Sequence, residues 1–137
     1  MMKETDKAWL AGIIDGEGYI SLIRRRTYYV PSVKIGNTNE KLILRCKEIL
    51  DMAGIEYCIT YFDRGERINA KPSWDIVMES RPRVVAILQL VSPYLISKNE
   101  QAKLVLDWCS KGKRQPTETK ELFIDNIRKL NQRGRVK

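Results

Sequence analysis

Residues 9–18 read WLAGIIDGEG, and the use this stretch makes of its small residues decides both fold and chemistry. Ala8, Gly12 and Gly16 recur every four residues. On a helix they form one stripe with almost no side-chain bulk, flanked by Ala11 and Asp15. Glycine inside a helix costs about 1 kcal/mol relative to alanine, so something must compensate. Close approach of another backbone is the usual reason. Two partners for the stripe remain open. One is the chain's own sheet. The other is the same helix of a second copy, crossed about a two-fold axis, which gives the self-complementary interface a symmetric dimer requires. In that second arrangement the helix tips bring two copies of Glu17 together.

The surroundings of Glu17 are basic. The 137-residue chain carries 25 Lys and Arg against 17 Asp and Glu, a formal charge of +8. Arg24, Arg25, Arg26 and Lys34 fall in a stretch with no acidic residue between Glu17 and Glu40. Further clusters are Lys111, Lys113 and Arg114, then Arg128, Lys129, Arg133, Arg135 and Lys137. A nucleic acid is the natural partner, with counterion release supplying much of the affinity; a merely solvated basic surface is the plainer alternative. There is no histidine. Nucleases with a histidine base, His–Cys zinc sites and Ser-His-Asp hydrolases are therefore excluded. Cys46, Cys58 and Cys109 form no CxxC pair and read as reduced core residues of an intracellular, non-secreted protein. No apolar run is long enough for a membrane span.

Residues 4–15 are expected to form a helix capped by Thr5 or Asp6 and stopped by the glycines at 16 and 18. Residues 18–26 and 28–36 read as a hairpin, with Pro31 marking an irregular or edge strand. Apolar spacing predicts a helix over 39–53 with Gly54 as its stop. A second hairpin (57–62 and 73–78) follows, then helices over 83–90, 98–109 and 118–131. The order α-β-β-α-β-β-α plus a helical tail implies one α+β domain over 1–137, with 113–137 as a basic tail. The helices are expected on one face of a four-stranded antiparallel sheet, leaving the other face free.

A surface carboxylate placed against phosphates repels them unless a divalent cation intervenes, and carboxylate, water and phosphate oxygens suit Mg²⁺. Leu10-Ala11-Gly12-Ile13-Ile14-Asp15-Gly16-Glu17-Gly18 resembles the LAGLIDADG nonapeptide, with conservative changes at three positions. The element order resembles the same family, as does Pro93-Tyr94-Leu95 leading into Ser97-Lys98-Asn99-Glu100-Gln101-Ala102, and the similarity spans roughly 5–110. The family comprises homing endonucleases and some RNA-splicing maturases; a single motif copy implies a homodimer.

The resemblance implies roles residue by residue. Glu17 stands where the family has its metal-binding acid, with Gly16 offering its carbonyl. Asn37 matches a position that orders attacking water, Lys98 a basic residue near the scissile phosphate, and Lys41 a supporting place in the catalytic set. Ala8, Ala11, Gly12 and Asp15 belong to the dimer interface. Mg²⁺ is the implied cofactor, with Mn²⁺ as a substitute and Ca²⁺ supporting binding without cleavage. Strand alternation puts Tyr19, Ser21, Ile23 and Arg25 on one face, with Ser32 and Lys34 opposite them. Tyr61, Arg64, Arg67 and Lys71 are candidates from the second hairpin. Such a ribbon fits the major groove of double-stranded DNA, and two copies cover roughly 20 base pairs of a partly palindromic site. The expected activity is a metal-dependent double-strand break. The alternative is a relative that binds intron RNA or DNA without cutting. An acid-x-lysine core at Glu118-Thr119-Lys120 with Asp107 is a third, weaker pattern.

Overall fold

The computed structural model describes residues 2–26, 28–63, 71–111 and 115–132. Its elements are α1 (Glu4–Glu17), β1 (Gly18–Arg25), β2 (Tyr28–Asn37), α2 (Glu40–Ala53), β3 (Cys58–Phe62), β4 (Ser73–Glu79), α3 (Arg81–Val91), a 3-10 turn (Ser92–Tyr94), α4 (Asn99–Ser110) and α5 (Thr117–Gln132). The order expected from sequence holds, and the four strands form one antiparallel sheet in the order β1-β2-β4-β3.

The sheet's inner face carries Ile20, Leu22, Val33, Ile35, Ile76 and Met78, all buried. Against it α1 lays Leu10, Ala11 and Ile14, α2 lays Ile43, Cys46 and Ile49, and α3 lays Val84, Ile87 and Leu88. Burial pushes the Cys46 thiol up to about 11, as expected of a reduced core cysteine. Cys58, by contrast, is exposed on β3 and is no core residue.

Local chemistry sets the ends. The Lys3 N–H donates to the Asp6 carboxylate at 3.0 Å, tying down the start of α1. Asn39 caps α2 by accepting the Lys41 N–H at 3.0 Å, and Gly54 ends it in the left-handed conformation. α1 runs two residues past its expected end, so Glu17 is its last residue. Gly18 then turns the chain into β1, and a Cβ there would meet the Ile14 carbonyl oxygen at 2.7 Å. Close backbone approach requires this glycine.

One expectation is corrected. β2 is a central strand, not an edge. Pro31 is tolerated because β2 pairs with β4 only from Ser32 onward, so the side where Pro31 lacks an N–H has no strand to pair with. The helical tail packs back on the domain. α5 buries Phe123, Ile124 and Ile127 and packs on α4 and β1. Asn131 Nδ2 donates to the Ile20 carbonyl at 3.1 Å, satisfying a main-chain group of the edge strand. Tyr29 donates its hydroxyl to Glu121 at 2.6 Å, and this hydrogen bond, chiefly, raises the phenol above its ordinary range.

Candidate catalytic centre and nucleic-acid face

The end of α1 is organised by Asp15. Its carboxylate accepts the Ile96 N–H at 2.8 Å, the Lys98 N–H at 3.0 Å and the Ser97 hydroxyl at 3.1 Å. The Lys98 ammonium donates to the Asp15 carbonyl. A cation at a helix C-terminus satisfies a main-chain acceptor and favours the negative end of the helix dipole. Asp15, half-buried, therefore ties this chain's own loop 95–98 to α1. A lone acid in a motif gives no sign of which backbone it will cap; only the returning loop does. Asp15→Ala is expected to cost about 3 kcal/mol, as several charge-assisted hydrogen bonds go together; urea unfolding reads it.

This arrangement holds Lys98 beside the helix tip that carries Glu17. Glu17 is exposed, and among the described residues no hydrogen bond or ion pair engages its carboxylate. Ala8, Gly12 and Gly16 are exposed along α1, and a Cβ placed on either of these two glycines would meet no atom within 4 Å. This chain's own packing therefore gives no reason for them. Ala11 is corrected: it is fully buried in the core, one residue and about 100° round the helix from Gly12.

Asn37 ends β2, and its side chain accepts the Asn39 N–H at 2.8 Å. Lys41 stands in the first turn of α2, exposed, and borders a hollow with Leu44 and Lys71. The donors at the tip of α1 are all oxygens: the Glu17 carboxylate and main-chain carbonyls. Among the described residues no group of three His, Cys, Asp or Glu stands together. One copy thus offers too few ligands for a closed site, and an oxygen-only set suits a hard cation such as Mg²⁺ or Ca²⁺ completed from elsewhere.

The sheet's outer face is a hollow of about 400 Å³ bordered by Tyr19, Ser32, Lys34, Asp75 and Glu79, among others. Register puts Tyr19 opposite Lys34, Ser21 opposite Ser32, and Arg25 opposite Tyr28, so these candidates share one face as expected. Ser21 and Ser32 lie in its floor, 5% and 3% exposed, and Ile23 is half-buried; only Tyr19, Lys34 and Arg25 stand well out. Ile127, Arg128 and Asn131 of α5 border the same hollow, so the outer face is flanked by a helix and not wholly free. Arg128, exposed there, belongs with the candidate contacts; sequence showed its charge but not where α5 docks.

Tyr61 is corrected too. It pairs with Trp74 in the row that follows Ile59–Ile76, on the helix side of the sheet, with ring centroids 5.3 Å apart. Thr60 and Phe62 take the outer positions. Arg64 and Arg67 lie outside the described residues. Of the acid-x-lysine pattern, Lys120 borders a hollow with Trp108, and Asp107 borders a different one with Asn126 and Lys129.

A family model described as "LAGLIDADG-like domain" matches residues 4–103. The chain belongs to the LAGLIDADG-like domain family. Its match to an uncharacterized protein of Methanocaldococcus jannaschii is 37% identical over 60 residues, 44% of this chain and 22% of that protein. The chain thus spans about a fifth of this relative. Among solved structures, the fold resembles the homing endonuclease I-CvuI in complex with DNA at a TM-score of 0.69 and 24% identity, covering 98% of this chain and 87% of that one. It also resembles the LAGLIDADG homing endonuclease I-GzeII in complex with its DNA target at a TM-score of 0.62 and 20% identity, covering 96% of this chain and 44% of that one. At these identities the likeness establishes the αββαββα fold. Among the described residues no helix is long and apolar enough to cross a membrane.

Proposed function

We propose that this LAGLIDADG protein is a homodimeric, divalent-metal-dependent endonuclease that makes a double-strand break in a long, partly palindromic DNA site. The observation that carries the reading is the pairing of a bare, exposed stripe on α1 with an unengaged Glu17 at its tip. A second copy packed on Ala8, Gly12 and Gly16 gives the glycines their reason and sets two Glu17 carboxylates side by side. The outer sheet faces then extend outward from this centre as one basic, two-fold surface.

Glu17 and the Gly16 carbonyl would hold the cation, with phosphate oxygens and the second copy completing its shell. When bound, such a cation polarises a phosphodiester oxygen and activates a water. Lys98, fixed by the Asp15 carbonyl, brings a positive charge to stabilise the phosphate as negative charge builds on it. Asn37 offers an amide to orient water, and Lys41 adds charge at its edge. Tyr19, Lys34, Arg25 and Arg128 contact base edges or backbone along each half-site.

The test is to incubate the protein with a randomised duplex library, in Mg²⁺ and separately in Ca²⁺, and to sequence the cut ends. Scission at one long site in Mg²⁺, with retention but no scission in Ca²⁺, supports the endonuclease. Retention without scission in both supports the binding-only relative, and no retention at all removes DNA as the partner.

A further inference from the structure

Two acids stand on the proposed reading face, where phosphates would be unwelcome to them, and the fold provides for both. Gly36 lies directly opposite Asp75, and a Cβ on Gly36 would meet Asp75 Oδ1 at 2.5 Å. The missing side chain is what lets this carboxylate lean across β2. Asp75 is only 20% exposed and pairs with Lys34 at 3.8 Å. At the other end of the face, Arg25 Nη2 reaches both oxygens of Glu79, at 3.2 and 3.1 Å, from across β2. Each basic reader of the sheet is therefore one half of an acid–base doublet. The two acids stand four positions apart along β4, about 13 Å, or about four base pairs.

Resting on the DNA-reading function above, we propose that Asp75 and Glu79 are specificity-determining residues, each forming with its basic neighbour a unit that reads one G·C pair. In the major groove, guanine presents the O6 and N7 acceptors and its cytosine partner presents the N4 amino donor beside them. Lys34 or Arg25 supplies the donors and the neighbouring carboxylate the acceptor. At a mismatched pair the carboxylate loses water and gains no partner, so the acid raises the cost of the wrong sequence. Against random DNA it opposes binding outright by repelling phosphates. A carboxylate that only steadied the sheet would do neither.

The experiment selects duplexes randomised over roughly twenty base pairs, bound in Ca²⁺, with the wild type and with Glu79→Gln and Asp75→Asn. Dissociation constants for one random-sequence duplex are measured alongside. The wild type is expected to select G·C pairs at two positions per half-site about four base pairs apart. Asp75→Asn relaxes the position nearer the centre and Glu79→Gln the outer one, each by about tenfold, and both variants bind the random duplex several-fold more tightly. Arg25→Gln and Lys34→Gln relax the same two positions but weaken the random duplex, which separates reading from folding. A wild type with a clear site whose pattern survives both acid substitutions overturns the inference alone, as does a uniform loss of affinity. A wild type without any sequence preference overturns the DNA-reading function as well.

Discussion

Glu17→Gln abolishes strand scission, by about a thousandfold or more, while dimerisation and DNA binding persist. That is the order of loss when a group stabilising transition-state charge leaves a hydrolytic centre, about 4 kcal/mol. Glutamine keeps the length and shape of the side chain but is neutral, so it holds a divalent cation poorly. Glu17 makes no hydrogen bond or ion pair within the described residues, so the fold loses nothing with its charge. Removing a negative charge from a surface that faces phosphates should even tighten binding. Cleavage of the selected duplex in Mg²⁺, against retention in Ca²⁺, checks both halves of this expectation. Wild-type scission by the variant removes Glu17 from the mechanism; lost binding makes it a structural residue.

Much of the proposed centre is legible in the chain because it depends on local spacing. Gly12, Gly16 and Glu17 lie within two helical turns, so a period of 3.6 residues places them without knowledge of the tertiary fold. Strand alternation located Tyr19, Lys34 and Arg25 on one face for the same reason. What escaped was set by contacts distant in sequence. Asp15 reads as part of the helix-end interface; that it also holds loop 95–98, 81 residues later, shows only in the fold. Tyr61 reads as a candidate contact, but the parity of β3 depends on its register with β4, which pairs Tyr61 with Trp74 and which no local pattern fixes. Ala11 and Gly12 are both small and adjacent, yet one is core and the other surface. Composition cannot separate them; the turn of the helix relative to Leu10 and Ile14 does. The position of Arg128 on the outer sheet face depends on α5 docking along β1 and α4, where Phe123, Ile124 and Ile127 are buried. The acid–base doublets were invisible for a similar reason: Arg25 and Glu79 are 54 residues apart and meet across an intervening strand.

Gly12→Leu separates the two explanations of the bare stripe, because they predict opposite signs for the stability of one copy. Within the chain, a Cβ on Gly12 meets nothing within 4 Å, and leucine is about 1 kcal/mol better than glycine in a helix. The isolated protomer should therefore melt at a higher temperature. The dimer should be lost. A two-fold axis places the substituted position in both helices of the crossing, so any cost of overpacking, typically 1–3 kcal/mol, is met twice. About 2–6 kcal/mol weakens association by roughly 30- to 10⁴-fold. Gly18→Ala is the contrasting variant: its Cβ would press on the Ile14 carbonyl at 2.7 Å, so the protomer itself is destabilised. Sedimentation and thermal melting of the three proteins distinguish the cases. A Gly12→Leu dimer as tight as wild type would place the interface elsewhere, and a wild type that sediments as a monomer would leave the two Glu17 carboxylates apart and the catalytic centre incomplete.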